Sequence, residues 1–412
     1  MKNPNSAGNM VTVPAHQPPP GGYDCIIVGA GPAGSAAAIA LCRAGRTVQL
    51  LDRQNFPRDK ICGDGIPPGS LELLYELGLQ APLEKAGFYP VEQLHFSTPA
   101  GQLLKTRFRP KKPGMGFFVA PRRDFDYLLQ QQAIVAGAHF QQAQVKGLLR
   151  QNGQVCGVQA EIDGQATTIS ARTVIGADGC TSIVARSLAG IKPAPRHRFL
   201  AIRGYIEGLE IFSHAAEFHW YPEILPGYGW IFPLGNERAN IGLAMRADRL
   251  RRERRKLPDL LNDFLQRPAI KARMRNDARL SGVATWPLNL ASQQRVQRAY
   301  DGALLIGDAA ALIDPFSGEG IHNALRSAKL AASVIDQALS RNDTSLRMLQ
   351  QYEQLCRRSF NPVFRRSYWL QQCMHHSPFL IEGLVYLLRK NPRFLAACAN
   401  RFSLDFHFEA AY

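Results

Sequence analysis

The run Gly29-Ala30-Gly31-Pro32-Ala33-Gly34 has the glycine spacing that cradles a diphosphate. Gly29 permits a tight turn, Gly31 lets backbone approach a pyrophosphate, and Gly34 allows a helix to pack closely on a strand. The helix start that follows offers free N–H groups and a positive dipole end to phosphates. Asp52 lies 23 positions after Gly29, where a strand-end carboxylate can accept hydrogen bonds from a ribose. This spacing leaves FAD and NAD open. Two later segments favour a flavin. In Ile306-Gly307-Asp308-Ala309-Ala310, a strand ends in a glycine followed by a short carboxylate, suited to a ribityl hydroxyl. Asp314-Pro315-Phe316-Ser317-Gly318-Glu319-Gly320-Ile321 then forms a second glycine-rich turn opening a helix. A flavin's N1–C2=O edge gains electron density on reduction, and N–H groups at a helix N-terminus stabilise it.

Such residues need a strand–helix–strand scaffold. Asp24–Val28 reads as a buried strand, Ser35–Ala44 as a small-residue helix and Thr47–Leu51 as a second strand, which predicts an α/β protein with a doubly wound parallel sheet. A helix is expected from Phe125 to Val135. An antiparallel meander is expected from Val145 to Arg172, around the turns Asn152-Gly153 and Asp163-Gly164. Residues 196–246 read as β-rich, Pro258–Arg275 as a helix, Gly302–Ile306 as a strand and Gly320–Leu339 as a helix. The stretch 345–405 reads as mostly helical. The expected organisation is a flexible Pro/Gly-rich tail over 1–21 and a discontinuous Rossmann-like dinucleotide-binding domain over 22–95, 115–190 and 290–340. A β-rich substrate domain is inserted over 96–114 and 191–289, and a helical C-terminal region covers 341–412.

With 412 residues and 46% apolar residues, the chain can bury a sizeable core; charged residues at 20% and aromatics at 9% exclude a disordered or fibrous class. No run of 18 apolar residues occurs, and the first ten residues lack the apolar core of a secretory signal. The eight cysteines form no CxxC pair and read as reduced thiols of a cytoplasmic protein, with no metal site. The net charge is +16, and its densest basic cluster is Arg246, Arg249, Arg251, Arg252, Arg254, Arg255 and Lys256. That cluster lacks interleaved aromatics, so nucleic acid is not an expected partner; a solvated helix face and an anionic membrane contact remain.

The glycine trio, together with Ala177-Asp178-Gly179, Ser182, Arg186 and Gly307-Asp308, resembles flavoproteins built like para-hydroxybenzoate hydroxylase. Within that group the chain is similar to the geranylgeranyl reductase family, and closest in feel to bacterial menaquinone reductase-like members. Lys60-Ile61-Cys62-Gly63-Asp64-Gly65 and Pro226-Gly227-Tyr228-Gly229-Trp230-Ile231-Phe232-Pro233 carry this closer likeness, as does the run Gly307–Ile321. Two departures stand out. Only Gly227 separates Pro226 from Tyr228, where the family motif has two residues, which weakens a chlorophyll-type or archaeal-lipid assignment. Asp52 stands where many FAD enzymes have Glu, a change that leaves ribose binding intact.

The resemblance implies FAD as cofactor and hydride transfer from reduced flavin to carbon–carbon double bonds of a prenyl chain, in a geranylgeranyl lipid or a prenylquinone. It implies a cysteine near the flavin, here Cys62, as proton donor or positioning group, its pKa lowered if Lys60 is close. It implies that Arg122 reaches the FAD phosphates and that the Val145 backbone meets the adenine. Ala33, Arg53, Gly318, Gly320 and Ile321 complete the expected cofactor contacts. Tyr228, Trp230 and Phe232 fall on one face of a strand by the period of two and are expected to wall an apolar tunnel, unless they are sheet packing. His322 reads as a general acid or a structural histidine. No second glycine-rich unit holds a nicotinamide, so NAD(P)H docks transiently or another donor supplies electrons. The apolar segment 379–390 ends in cations and is too short to span a bilayer; it packs internally or lies at the membrane surface. The competing function is a flavin monooxygenase or halogenase, and a flavoprotein scaffold is the non-enzymatic reading.

Overall fold

A computed structural model describes residues 22–101, 103–110, 116–189, 194–292, 296–377, 379, 382–383 and 406–410. The expected tail 1–21 and most of the apolar segment 379–390 lie outside the described residues.

The first sheet is the scaffold anticipated for the glycine motif. Its strands run in the order 299–300, 303–305, 165–176, 23–28, 48–52 and 139–142. The five from 303–305 to 139–142 pair parallel, and the short 299–300 pairs antiparallel. Such strands are buried on both faces and read as continuous apolar runs, as Cys25-Ile26-Ile27-Val28 does. The meander appears as antiparallel strands 144–151, 154–162 and 165–176, the last continuing into the parallel sheet. The helix after the first strand begins at Pro32 rather than Ser35 and ends at Arg43. Proline at the first helical position has its φ preset and no N–H to leave unpaired, so the dipole end sits three residues nearer the glycines.

The second sheet has strands in the order 274–289, 198–209, 238–246, 228–235, 215–219, 93–97, 103–110 and 406–410. All neighbours are antiparallel except 215–219 with 93–97, which runs parallel across a long stretch of intervening chain. Alternation divides its faces. Ile241, Leu243 and Met245 pack on Leu257, Leu260, Leu261 and Phe264 of the helix Leu257–Leu265. Phe199, Ala201, Trp230, Phe232 and Ala244 face the other way, into a cluster with Phe117, Leu290 and Ile313.

Two segments differ from the sequence expectation. The helix expected over Pro258–Arg275 stops at Leu265, resumes as one turn over Pro268–Lys271, and gives way to the strand Met274–Asn289. Pro268 cannot continue the helix, because it lacks an N–H and its ring clashes with the preceding turn. The C-terminal region is also not helical throughout: Phe406–Ala410 is a strand pairing antiparallel with Thr106–Pro110. There an unpaired sheet edge supplies the partner groups that a helix would otherwise find internally.

The long helix Leu346–His376 packs on the helix Ile321–Ser340, and its Tyr352 hydroxyl donates to the Leu305 carbonyl at 2.9 Å in the core of the first sheet. Tyr352→Phe removes this donor and the hydroxyl's contact with the Cys356 thiol while keeping the ring. Its stability should fall by about 1–2 kcal/mol, read as a lower urea midpoint at unchanged slope; an unmoved midpoint would show that the bond does not anchor the helix.

Candidate active site

The glycines do three different jobs. A Cβ on Gly34 would lie 1.8 Å from the Gly29 carbonyl oxygen, and one on Gly29 would lie 2.4 Å from that of Ala177, so these two positions are closed by backbone. A Cβ on Gly31 would meet nothing nearer than an Arg58 guanidinium nitrogen at 3.5 Å. The protein itself would tolerate a side chain there, so the bare backbone serves what enters the cavity. The start of helix 32–43 and the Arg58 guanidinium both converge on this point, a donor set for a diphosphate. Arg58 in turn donates to Asp126 at 2.7 Å. Asp52 accepts the Ala30 N–H at 2.9 Å through one carboxylate oxygen and the Gln54 N–H at 3.0 Å through the other. Ala33 is buried beneath the loop, 3.1 Å from where a Cβ on Gly307 would be.

One cavity of about 1320 Å³ runs from Val28 and Gly29 to Met374. It exceeds the ~300–1,000 Å³ of ordinary small-molecule sites. Gly29, Gly31, Ala33, Asp52, Arg53, Arg122, Val145, Asp308, Gly318, Gly320 and Ile321 all line it, as do Cys62, Tyr228 and Trp230; of the predicted site residues only Gly34 does not, being sealed beneath Gly29. Val145 and Arg53 sit at one end, beyond Asp52. At the other glycine turn, Asp314 accepts N–H bonds from Phe316 and Ser317 and so curls the loop. Gly318 adopts φ 69°, and Gly320 caps the helix that starts at Ile321. Asp308 accepts the Cys180 thiol at 3.4 Å and lies 3.3 Å from where a Cβ on Gly320 would be. The two cradles therefore face one continuous space, and the residues present fit FAD.

Arg122 departs in detail from the expected phosphate contact. Its guanidinium forms a bidentate pair with Asp126, at 2.7 and 2.9 Å, and it is buried close to Cys62. Burial works against its charge, but Asp126 more than offsets this and holds it protonated. Arg58, which sequence reading missed, is the guanidinium that stands over Gly31. A lone Arg in a loop gives no periodic signal.

The segment Lys60–Gly65 lies against the strand Tyr228–Gly235. A Cβ on Gly63 would be 3.1 Å from the Phe232 ring, and one on Gly65 would be 2.9 Å from Phe117. Gly242, beneath Trp230, likewise has no room for a side chain, with the indole 2.4 Å from a notional Cβ. Tyr228, Trp230 and Phe232 share one strand face as expected, and Phe218 packs on Tyr228 and Phe232 with ring centres 5.7 and 5.1 Å away. Phe96 stacks on Phe218 and on Trp220, extending the aromatic wall toward Leu104 and Met374. These three aromatics were not singled out from sequence, since Phe96 meets Phe218 and Trp220 only through the pairing of two strands distant in the chain. The Tyr228 hydroxyl donates to the Ser317 carbonyl, tying the wall to the second glycine turn.

Electrostatics correct one expectation. Burial raises the Cys62 thiol above its ordinary pKa, with Arg122 opposing, so Cys62 is held as a neutral thiol and its pKa is raised, not lowered as expected. Lys60 is itself lowered by burial, against the pull of Asp308, and its ammonium lies 4.3 Å from the Trp286 ring centre. Burial lifts Asp64 to about 6 and Glu319 to about 7. Glu319 accepts the His322 N–H at 2.8 Å at the start of helix 321–340, and both residues line the cavity. Among the described residues no cluster suits a metal ion, and no helix is long and apolar enough to cross a membrane.

Residues 22–367 match the FAD binding domain family. The chain is 33% identical to digeranylgeranylglycerophospholipid reductase 1 of Methanococcoides burtonii, over 82% of this chain and 80% of that protein. It is 33% identical to the menaquinone reductase of Mycobacterium tuberculosis, over 76% of each. A solved structure, the geranylgeranyl bacteriochlorophyll reductase-like protein of Thermoplasma acidophilum, superposes with a TM-score of 0.80 at 26% identity, covering 90% of this chain and 92% of that one. An archaeal lipid reductase is thus a relative despite the shortened Pro226–Tyr228 spacing. Here Gly227 accommodates that spacing by lying flat on the Ala244 carbonyl, 1.9 Å from its notional Cβ.

Two outcomes follow for the site. Gly31→Val should give a folded protein that binds FAD at least ~100-fold more weakly, because only the ligand is obstructed. Gly34→Ala should fail to fold, since the clash is with backbone. Flavin absorbance and circular dichroism separate the two, and a yellow Gly31→Val protein would move the diphosphate elsewhere. Glu319 has its folded pKa raised above its ordinary 4.5 to about 7. The unfolded chain therefore binds fewer protons across that window, and apoprotein stability should fall as pH rises from 4.5 through about 7. Glu319→Gln should flatten that part of a denaturation–pH profile, and an identical profile would remove Glu319 as its source.

Proposed function

The chain belongs to the FAD binding domain family, and from that premise we propose that it reduces carbon–carbon double bonds in the prenyl chain of a lipid or prenylquinone. The observation that carries this reading is that one cavity holds both the dinucleotide cradle and a long aromatic and aliphatic wall. The molecules in the names of its relatives, a digeranylgeranylglycerophospholipid and menaquinone, each carry a prenyl chain, which supports it.

FAD, when bound and reduced, supplies the hydride to one alkene carbon. The protein must then bind a chain with no polar handle near the reacting bond, exclude water and deliver one proton to the other carbon. Burial against Phe96, Phe218, Trp220, Trp230 and Phe232 supplies binding through the hydrophobic effect, at about 25 cal/mol per Å² removed from water. The same wall keeps water from the reacting bond. The Cys62 thiol, neutral because of its burial, is the proton donor; Arg122 alongside it accommodates the charge left on sulfur until solvent returns the proton. Burial likewise keeps Tyr228 neutral, and its bond to the Ser317 carbonyl makes its ring a fixed wall between tunnel and cofactor turn. Gly29, Gly31 and Arg58 would hold the diphosphate, with Gly34 packed beneath them, Asp52 the adenosine ribose, Val145 and Arg53 the adenine end, and Asp308, Gly318, Gly320 and Ile321 the ribityl and ring end.

The reductant is NAD(P)H docking transiently, or another electron donor. Contact with a membrane surface is peripheral. It is supported by the +16 net charge and by the basic cluster around Arg246–Lys256, in which Arg251 and Arg252 are exposed.

The test is anaerobic. With bound flavin reduced by dithionite, addition of a geranylgeranyl lipid or a menaquinone should restore the oxidised flavin spectrum as a saturated product forms. Reoxidation by oxygen alone, with hydroxylation or halogenation of an aromatic compound, would install the competing reading. Cys62→Ala should retain FAD and lose turnover by about 100-fold or more; wild-type rates would exclude the thiol as donor.

A further inference from the structure

Behind the aromatic wall lies a polar network that no step above uses. Asn240 is fully buried on the strand beside Trp230. Its side-chain carbonyl accepts the Trp230 indole N–H at 2.8 Å. Its amide nitrogen donates to the Cys62 carbonyl at 2.8 Å and to the Asp64 carboxylate at 2.7 Å. Asp64, also fully buried, sits at φ 65° and further accepts the Tyr205 hydroxyl at 2.8 Å and the Arg122 N–H at 3.3 Å. All three of these groups donate to Asp64, so the network is built around a carboxylate. A neutral acid there would turn one acceptor into a donor facing donors.

We propose that Asn240, backed by Asp64, is the positioning residue that locks the Trp230 indole and the Cys62 loop into one rigid unit, so that tunnel wall and proton donor keep a fixed relation. This rests on the function proposed above. Among the described residues no other hydrogen bond to the indole is seen, and its ring packs directly on Gly242, where a side chain would collide with it. The far end of the loop is pinned independently, by Arg203 donating to both carboxylate oxygens of Asp59 and to the Lys60 carbonyl. Asn240 therefore controls the end that carries the thiol. Charged and titratable groups facing Asp64 are Arg122, Arg203 and Tyr205, with Cys62 next to them.

Two measurements on the FAD-loaded protein test this. In the first, the Trp230 indole proton, one of four indole signals and identified by its loss in Trp230→Phe, is followed by solvent exchange. Asn240→Leu should speed that exchange at least ~10-fold while leaving the other three indoles unchanged; unchanged Trp230 exchange overturns the proposal. In the second, flavin reoxidation by a geranylgeranyl lipid is followed anaerobically. Asn240→Leu should slow the rate at saturating lipid by about 10–100-fold, with the half-saturating concentration moved less than about threefold. The Trp230→Phe/Asn240→Leu double variant should be less impaired than the product of the two single losses, because both remove parts of one unit; strict multiplicativity overturns the proposal. Asn240→Ala serves in the exchange experiment should the leucine variant not load FAD. If wild-type flavin is reoxidised by no prenyl compound, the proposed function fails, while the exchange measurement still decides the role of Asn240.

Discussion

The contact on which the structure turns is the one between Lys60–Gly65 and the strand Tyr228–Gly235. The loop leaves the parallel sheet soon after Asp52, yet it lies flat on the other sheet because Gly63 and Gly65 present no side chains to the Phe232 ring, which would stand 3.1 and 3.2 Å from a Cβ at each. Everything near the reacting centre depends on that closeness. It brings the Cys62 thiol alongside Tyr228 and Arg122, and it lets Asn240 reach the loop backbone with a short amide. A methyl group at either glycine would crowd the Phe232 ring and force it to give way.

Charge is handled by pairing where it is buried. Asp126, enclosed by Arg122 and Arg58, is held below the usual carboxylate range although burial alone would push it up. The two guanidiniums are thereby kept at fixed positions near the cavity, one beside the thiol and one over Gly31. In the basic cluster, by contrast, only part is neutralised: Arg246 pairs with Asp248, Arg249 with Glu253 and Arg255 with Asp263, while Arg251 and Arg252 stay exposed.

Local patterns were readable in the sequence, and long-range ones were not. The strand Tyr23–Val28, the glycine turn and the aromatic face of Tyr228, Trp230 and Phe232 follow from composition and period, because each is decided within a few residues. The resemblance added the expected roles of Cys62, Arg122 and Val145. The parallel pairing of 215–219 with 93–97 could not be read, since its registration depends on strands far apart in the chain. That pairing is what adds Phe96 to Phe218 in the wall. Asn240 was hidden for a similar reason: a polar residue in an apolar strand looks like an interruption until its three partners are seen converging on it. The helix expected through Pro268 failed because apolar spacing was allowed to outweigh a proline.

The helix Leu346–His376 contributes Val363, Phe364, Ser367, Leu370, Cys373 and Met374 to the distal lining, and none of its residues belongs to the hydride or proton chemistry. Its Gln371 side chain reaches back to the Pro315 carbonyl, and Tyr352 fastens it to the parallel sheet. The architecture thus separates selection from reactivity. A substitution on that one helical face would reshape the far end of the cavity while leaving both glycine turns untouched.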